Sequence, residues 1–380
     1  MARNFLIVAG EVSGDQHAAP LMRALQARNP DIQFFGLGGD DMTAAGLEPM
    51  QHVRDLAVTG FLEVFKQLSF FKSVMAEVLD ACTERKPEAA ILLDYPGFNL
   101  RLGAELGRMG IPVYYYISPQ VWAWNRRRVK KMRRFVRHMY VIFPFEESFY
   151  HEAGIPASYA GHPLLDQDFA IPDRAAFFEH HQLDPDRPLV ALLPGSRSNE
   201  LHRHTPPLLS SIELIKKQRQ DLQFAVAAVS SLPEVLYTPY KDQRAVKLIY
   251  DQPHALMQHA DVAVVSSGTA TLETAFFGTP MVVIYRIAAL SYLIGRLLVK
   301  VDHLAMPNLI MNERVFPELI QYAANPLAIA DWVQRFIDDP ELRQKTISRM
   351  ADLQQLLGEP GAVERISKSI LSDLQVSHGT

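Results

Sequence analysis

The residue best placed to move a proton is Asp94, in Leu92-Leu93-Asp94-Tyr95-Pro96-Gly97-Phe98-Asn99, where it ends an apolar run ahead of a Pro-Gly turn. If Tyr95 and Phe98 partly desolvate the carboxylate, its pKa rises and it can accept a proton from an attacking hydroxyl. A plainer role is to cap the following helix, although Asn99 stands nearer the expected helix start. A second segment, Gly10-Glu11-Val12-Ser13-Gly14-Asp15, follows another apolar run. Its glycines permit a tight turn and close approach of backbone to a ligand, and Ser13 or Asp15 can cap a helix. Glu11, Ser13, Gly14 and Asp15 are therefore candidate ligand contacts, against the alternative of an ordinary strand-to-helix turn. No G-x-G-x-x-G opens that helix, which argues against a dinucleotide enzyme.

Ile117-Ser118-Pro119-Gln120-Val121-Trp122-Ala123-Trp124 holds two of the three tryptophans. Amphipathic rings beyond a strand suit sugar faces or acyl chains, with Ser118, Gln120 and Trp122 as candidate contacts; core packing is the competing explanation. A basic run follows, with Arg126, Arg127, Arg128, Lys130, Lys131, Arg133 and Arg134, and Arg137 beyond it. Nucleic acid, anionic lipid and a substrate phosphate would each account for the run, as would a solvated helix face.

Two later motifs suit an anion. In Pro194-Gly195-Ser196-Arg197, the glycine lets backbone approach a phosphate and Arg197 can grip it bidentately. In Ser267-Gly268-Thr269-Ala270-Thr271-Leu272-Glu273, small residues lead into a helix whose free N–H groups favour a phosphate, and Glu273 one turn in can accept bonds from ribose hydroxyls. Each motif is weak alone. Together they read as a nucleotide-diphosphate site without a metal-binding acid cluster, in which positive groups and helix dipoles neutralise the leaving group.

These motifs fall where secondary structure would position them. Residues 5–9, 32–37, 89–93, 113–117 and 139–143 are near-continuously apolar, as strands buried on both faces of a parallel sheet must be. Between them, 16–28, 62–85, 100–109 and 146–153 carry helical periodicity. A polar stretch with Pro172, Pro185 and Pro188 then separates a second cycle, with strands expected at 189–193, 223–229, 246–250, 261–266 and 281–285. Helices are expected at 207–219 and 270–277, and through 326–374. The fold class is α/β, with two Rossmann-like domains facing across a cleft; open parallel sheets bind ligands beyond the carboxyl ends of their strands. The domains are expected at 1–163 and 164–354.

Composition narrows the classes further. With 48% hydrophobic and 21% charged residues among 380, the chain can bury enough surface to fold. A net charge of -4 argues against a protein that wraps nucleic acid, and a single cysteine, Cys82, excludes a disulfide framework. The apolar run at the N-terminus is too short for the core of a signal peptide and reads as a first strand. No stretch reaches the ~18 uncharged apolar residues of a spanning helix. In 61–79, Phe61, Val64, Phe65, Leu68, Met75 and Leu79 form one helical stripe, while Leu62, Phe70 and Val74 fall away from it. That surplus suits burial in lipid, or burial of the helix on two sides.

The motifs quoted above, with Pro307-Asn308-Leu309, resemble in order those of the lipid-A-disaccharide synthases over nearly the whole chain. The resemblance implies an inverting glycosyltransferase of the GT-B fold. It would join UDP-2,3-diacylglucosamine to 2,3-diacylglucosamine 1-phosphate through a β(1→6) bond and release UDP, with no cofactor or metal. It places the base at Asp94 and puts Arg197, Glu273 and Asn308 on donor-site motifs. The family often has a second acid where this chain has Gly97, so Asp94 is expected to act without that neighbour. Also implied are hinge closure, a last helix of about 355–380 returning to the first domain, a possible homodimer, and a cytoplasmic chain peripherally associated with the inner membrane. A UDP-sugar 2-epimerase, another GT-B transferase and a non-catalytic nucleotide-sugar-binding protein are the competing readings.

Overall fold

Strands with no polar face have to be covered by helices on both sides, and both halves of the chain do this. The computed structural model describes residues 3–56, 64–119, 121–124, 129–243, 246–288, 292 and 302–378. They form two compact units, Met1–Gln167 with Leu357–Thr380, and Asp168–Leu356.

The first unit carries β1 (Arg3–Ala9), β2 (Ile32–Gly38), β3 (Leu47–His52), β4 (Ala89–Leu93), β5 (Val113–Tyr116), β6 (Val136–Val141) and β7 (Ala157–Tyr159). Their order is β3-β2-β1-β4-β5-β6-β7, parallel throughout. Alternate residues of β1 feed opposite cores: Leu6 and Val8 pack on one face, Phe5, Ile7 and Ala9 on the other. The Ala362–His378 helix belongs to this unit. It sets Val363, Ile366, Ile370 and Leu374 into the second of these cores, and Asp373 accepts bonds from Tyr114 and Arg137.

The second unit holds β8 (Leu189–Leu193), β9 (Gln223–Ala228), β10 (Val246–Tyr250), β11 (Val262–Ser266), β12 (Met281–Tyr285) and β13 (Glu318–Ile320). They are ordered β10-β9-β8-β11-β12-β13, again all parallel. In both sheets the strand order reverses beside the first strand, between β1 and β4 and between β8 and β11. These are the switch points at which such sheets bind ligands.

Several expected elements shift, each for a local reason. The first helix starts at Val12 rather than 16, because Gly14 lets it close on Ala9: a Cβ on Gly14 would meet the Ala9 Cβ at 3.2 Å. β6 ends at Val141, since Pro144 opens a helix whose Glu146 carboxylate takes the amides of Ile142 and Phe143 out of the sheet. The Ser198–Gln218 helix runs through Pro206 and Pro207 instead of beginning there. In the Val64–Arg85 helix, Val74 is not surplus surface; it is buried with Val78 and Cys82 at four-residue spacing. Phe70 is half-buried against the same core, beside the Phe71 ring at 5.7 Å. Among the described residues no helix is long and apolar enough to cross a membrane.

Candidate active site

At the β1/β4 switch point, Asp94 and Tyr95 leave β4 in the left-handed region, with φ of 39° and 46°, and Ile117 leaves neighbouring β5 at 60°. For non-glycine residues, and for a β-branched one most of all, such backbone costs of order 1–3 kcal/mol each and survives only when its surroundings hold it. The holders are visible. The Asp94 amide donates to the carbonyls of Tyr116 and Ile117 at 3.3 Å each. The Asp94 carbonyl accepts from the Tyr115 hydroxyl and, at 3.0 Å, from Asn99 Nδ2, which also reaches the Leu93 carbonyl at 2.9 Å. Bonds to its amide and carbonyl thus fix the turn that carries the Asp94 carboxyl group.

That carboxyl is half-buried, and its pKa is pushed from 3.8 to about 6. Burial is the main cause; the negative charge of exposed Glu11 adds to it, and a bond from the Tyr95 amide opposes it. Gly10 lies directly under Tyr95, whose ring atoms would stand 2.2 Å from a Cβ there. A glycine at that position therefore lets the exits of β1 and β4 close on each other and brings Glu11 toward Asp94.

Other expected contacts have structural partners. Asp15 is buried, and its carboxylate accepts from the amides of Gly39, Asp41 and Met42 at 2.7, 3.1 and 3.1 Å. It ties the Val12–Arg28 helix to the turn after β2 and does not cap its own helix. Ser13 also makes no cap: Glu11 occupies the N-cap position without a side-chain bond, and Ser13 is exposed in the first turn, next to buried Gly14. Asn99 is fully buried as the staple just described, inside a helix that begins at Pro96. Ser118 is buried and donates to Glu146; Trp122 Nε1 donates to the same carboxylate at 2.9 Å, with the Phe145 ring edge-on at 5.0 Å. Burial raises the Glu146 pKa to about 7 against four hydrogen bonds that lower it. Glu146 escaped the motif reading; its one signal is the glutamate at the third helical position after Phe143-Pro144. Gln120, Leu62, Arg126, Arg127 and Arg128 lie outside the described residues, while Lys130 and Lys131 are exposed. Arg137, the last of the basic run, is paired with Asp373.

In the second unit, the exits of β8 and β11 carry the two anion motifs side by side. Gly195 adopts φ 121°, and the place its Cβ would take is filled by the Glu200 carboxylate, 2.2 Å away. The Ser196 amide, in the loop expected to let backbone approach a phosphate, donates to Glu200 Oε2 at 3.0 Å. Arg197 is 72% exposed and only loosely held by Glu200, at 3.5 Å, which leaves its guanidinium able to turn to a phosphate. Beside it, Gly268 precedes the Thr269–Phe276 helix with open space where a Cβ would sit, and Thr269 is exposed. Ser267 is fastened by its amide to the Ile284 carbonyl at 2.9 Å. Glu273 is half-buried and faces His254 Nε2 at 3.6 Å, beside the Phe169 and Phe277 rings that flank His254. Asn308, expected on a donor-site motif, is bonded within the fold. It is fully buried and saturated, giving Nδ2 to the Phe316 carbonyl (2.8 Å) and Glu318 (2.9 Å), and taking the Phe316 amide (2.9 Å).

The family described as lipid-A-disaccharide synthetase matches residues 5–366. The chain is 42% identical over 378 residues to the lipid-A-disaccharide synthase of Syntrophus aciditrophicus (strain SB), covering 98% of each chain. The chain belongs to the lipid-A-disaccharide synthase family. It is therefore a glycosyltransferase. Solved structures match its fold. UDP-GlcNAc 2-epimerase from Neisseria meningitidis, bound to UDP-GlcNAc, superposes with a TM-score of 0.66 at 14% identity, covering 97% of this chain and 100% of that one. CalG4, the calicheamicin glycosyltransferase, gives 0.64 at 13%, covering 98% and 99%. At such identities the likeness is one of GT-B architecture, and the epimerase reading gains nothing from it.

Proposed function

We propose that this member of the lipid-A-disaccharide synthases transfers 2,3-diacylglucosamine from UDP to 2,3-diacylglucosamine 1-phosphate, with Asp94 as the base. Asp94 takes the proton of the acceptor's primary hydroxyl; that oxygen attacks the anomeric carbon opposite UDP, the bond to UDP breaks, and configuration inverts. Arg197 and the amides opening the Thr269–Phe276 helix stabilise the departing pyrophosphate, and Glu273 holds ribose. No step is routed through a metal ion. The observation that supports the reading best is a carboxyl group held at a sheet switch point by strained, heavily bonded backbone, with its pKa at about 6, close enough to neutrality to serve as a base.

Both substrates carry acyl chains, so work at a membrane surface belongs to the proposal. With Val74 assigned to the core, exposed Lys130 and Lys131 support it among the described residues, each worth ~1 kcal/mol near anionic lipid. The deciding experiment incubates the purified chain with the two acylated substrates and measures UDP and disaccharide. UDP-sugar epimerised or hydrolysed without disaccharide would overturn the assignment.

A further inference from the structure

The helix behind the β8 exit carries a side chain that the function above does not use. His204 is fully buried in the second turn of Ser198–Gln218. Its Nδ1 lies 2.7 Å from the Pro194 carbonyl, and its Nε2 lies 3.0 Å from the Arg286 amide. A backbone amide only donates, so Nε2 must accept, and a carbonyl only accepts, so Nδ1 must carry the proton. The backbone thus dictates one neutral tautomer. Burial depresses the pKa of the ring, with Arg286 and Arg203 adding to that, against the Pro194 bond and Glu200.

The two partners of the ring belong to different strand exits. Pro194 follows β8 and opens the Gly195-Ser196-Arg197 loop, and Arg286 follows β12. β11 runs between these strands, so the ring's anchors straddle the strand whose exit is Ser267-Gly268. Glu200, one turn earlier on the same helical face, accepts the Ser196 amide and fills the space beside Gly195. One face of one helix therefore holds the loop at both ends.

We propose that His204 is a positioning residue for nucleoside-diphosphate binding: by joining the Pro194 carbonyl to the Arg286 amide, its ring sets the spacing between the Arg197-bearing loop and the β12 exit. This rests on the donor-loop reading above. The test measures UDP affinity by calorimetry, and the donor and acceptor KM values, for His204→Ala, His204→Asn, His204→Gln and Arg197→Ala. Asparagine puts an amide where Nδ1 stood and keeps the Pro194 bond; glutamine reaches the position of Nε2 and keeps the Arg286 bond. The expected result is that His204→Ala weakens UDP roughly tenfold, equivalent to ~1.4 kcal/mol of binding free energy. Donor KM should rise while acceptor KM holds, and His204→Asn and His204→Gln, each keeping one bond of the two, should both bind UDP more weakly than wild type. If Arg197→Ala weakens UDP but His204→Ala does not, the role of His204 falls and the loop reading stands. If Arg197→Ala leaves UDP affinity unchanged, the loop reading falls and takes this inference with it. Should His204→Ala fail to fold, the Asn and Gln variants decide: UDP affinity equal to wild type in both, or donor and acceptor KM rising together, overturns the proposal.

Discussion

If Asp94 is the base, the acid limb of the pH–rate profile belongs to it and moves with Glu11. The base works only when ionised, so kcat/KM should fall tenfold per pH unit below about 6, the value to which burial and Glu11 push Asp94. The rise from 3.8 to about 6 is worth ~3 kcal/mol against the charged form, and burial supplies the larger part. Glu11 is exposed and acts through water, where a unit charge even 4 Å away contributes only ~1 kcal/mol. Glu11→Gln removes that repulsion and favours the carboxylate, so the limb should shift to lower pH by no more than about 0.7 of a unit. At pH 5 the variant should keep a larger fraction of its plateau rate than the wild type does. The assay is kcat/KM for UDP release between pH 4.5 and 8 with both acylated substrates. Glu146 supplies the internal control, because it is pushed to about 7 in the same unit. A limb that ignores Glu11→Gln, or one that persists unchanged in the residual activity of Asp94→Asn, would refute the assignment of Asp94 as base.

Asp94→Asn should abolish most turnover yet keep UDP affinity, measured by calorimetry. The sign of its effect on stability is opposite: ionising Asp94 costs the folded state as pH rises from 3.8 through about 6, so the variant should gain up to ~3 kcal/mol over wild type at pH 8 and nothing at pH 3, read from urea midpoints. Asn308→Ala leaves the Phe316 amide and carbonyl without the partner they share, and should cost about 2–4 kcal/mol of unfolding free energy; near-native stability would return Asn308 to the list of ligand contacts. Reversing Lys130 and Lys131 to glutamate should weaken sedimentation with anionic vesicles, and binding equal to wild type would remove this face from the membrane proposal.

What the sequence made legible was set by how many constraints each residue satisfies at once. Central strands such as Ala89–Leu93 and Met281–Tyr285 are buried on both faces, so every position votes apolar and their limits could be read directly. Edge strands Leu47–His52, Ala157–Tyr159 and Glu318–Ile320 are partly exposed and partly polar, and Ala157–Tyr159 and Glu318–Ile320 have only three residues each, so no apolar run marks them in the sequence. At the site the ambiguity runs the other way. Asp15, Asn99 and Asn308 are polar residues in motifs at loop and helix starts, which is also what a ligand contact looks like; only their partners, far along the chain or on backbone, show that the fold itself consumes them. Asp94 differs from them in one respect. Its neighbours bind its amide and carbonyl, and burial leaves its carboxyl raised in pKa, so the turn that consumes the Asn99 side chain does not consume that of Asp94 in the same way. Glu146 and His204 show what pattern reading reaches least: the partners that explain their burial, the Ser118 and Trp122 side chains for Glu146 and the Pro194 carbonyl and Arg286 amide for His204, lie in other motifs and other strand exits.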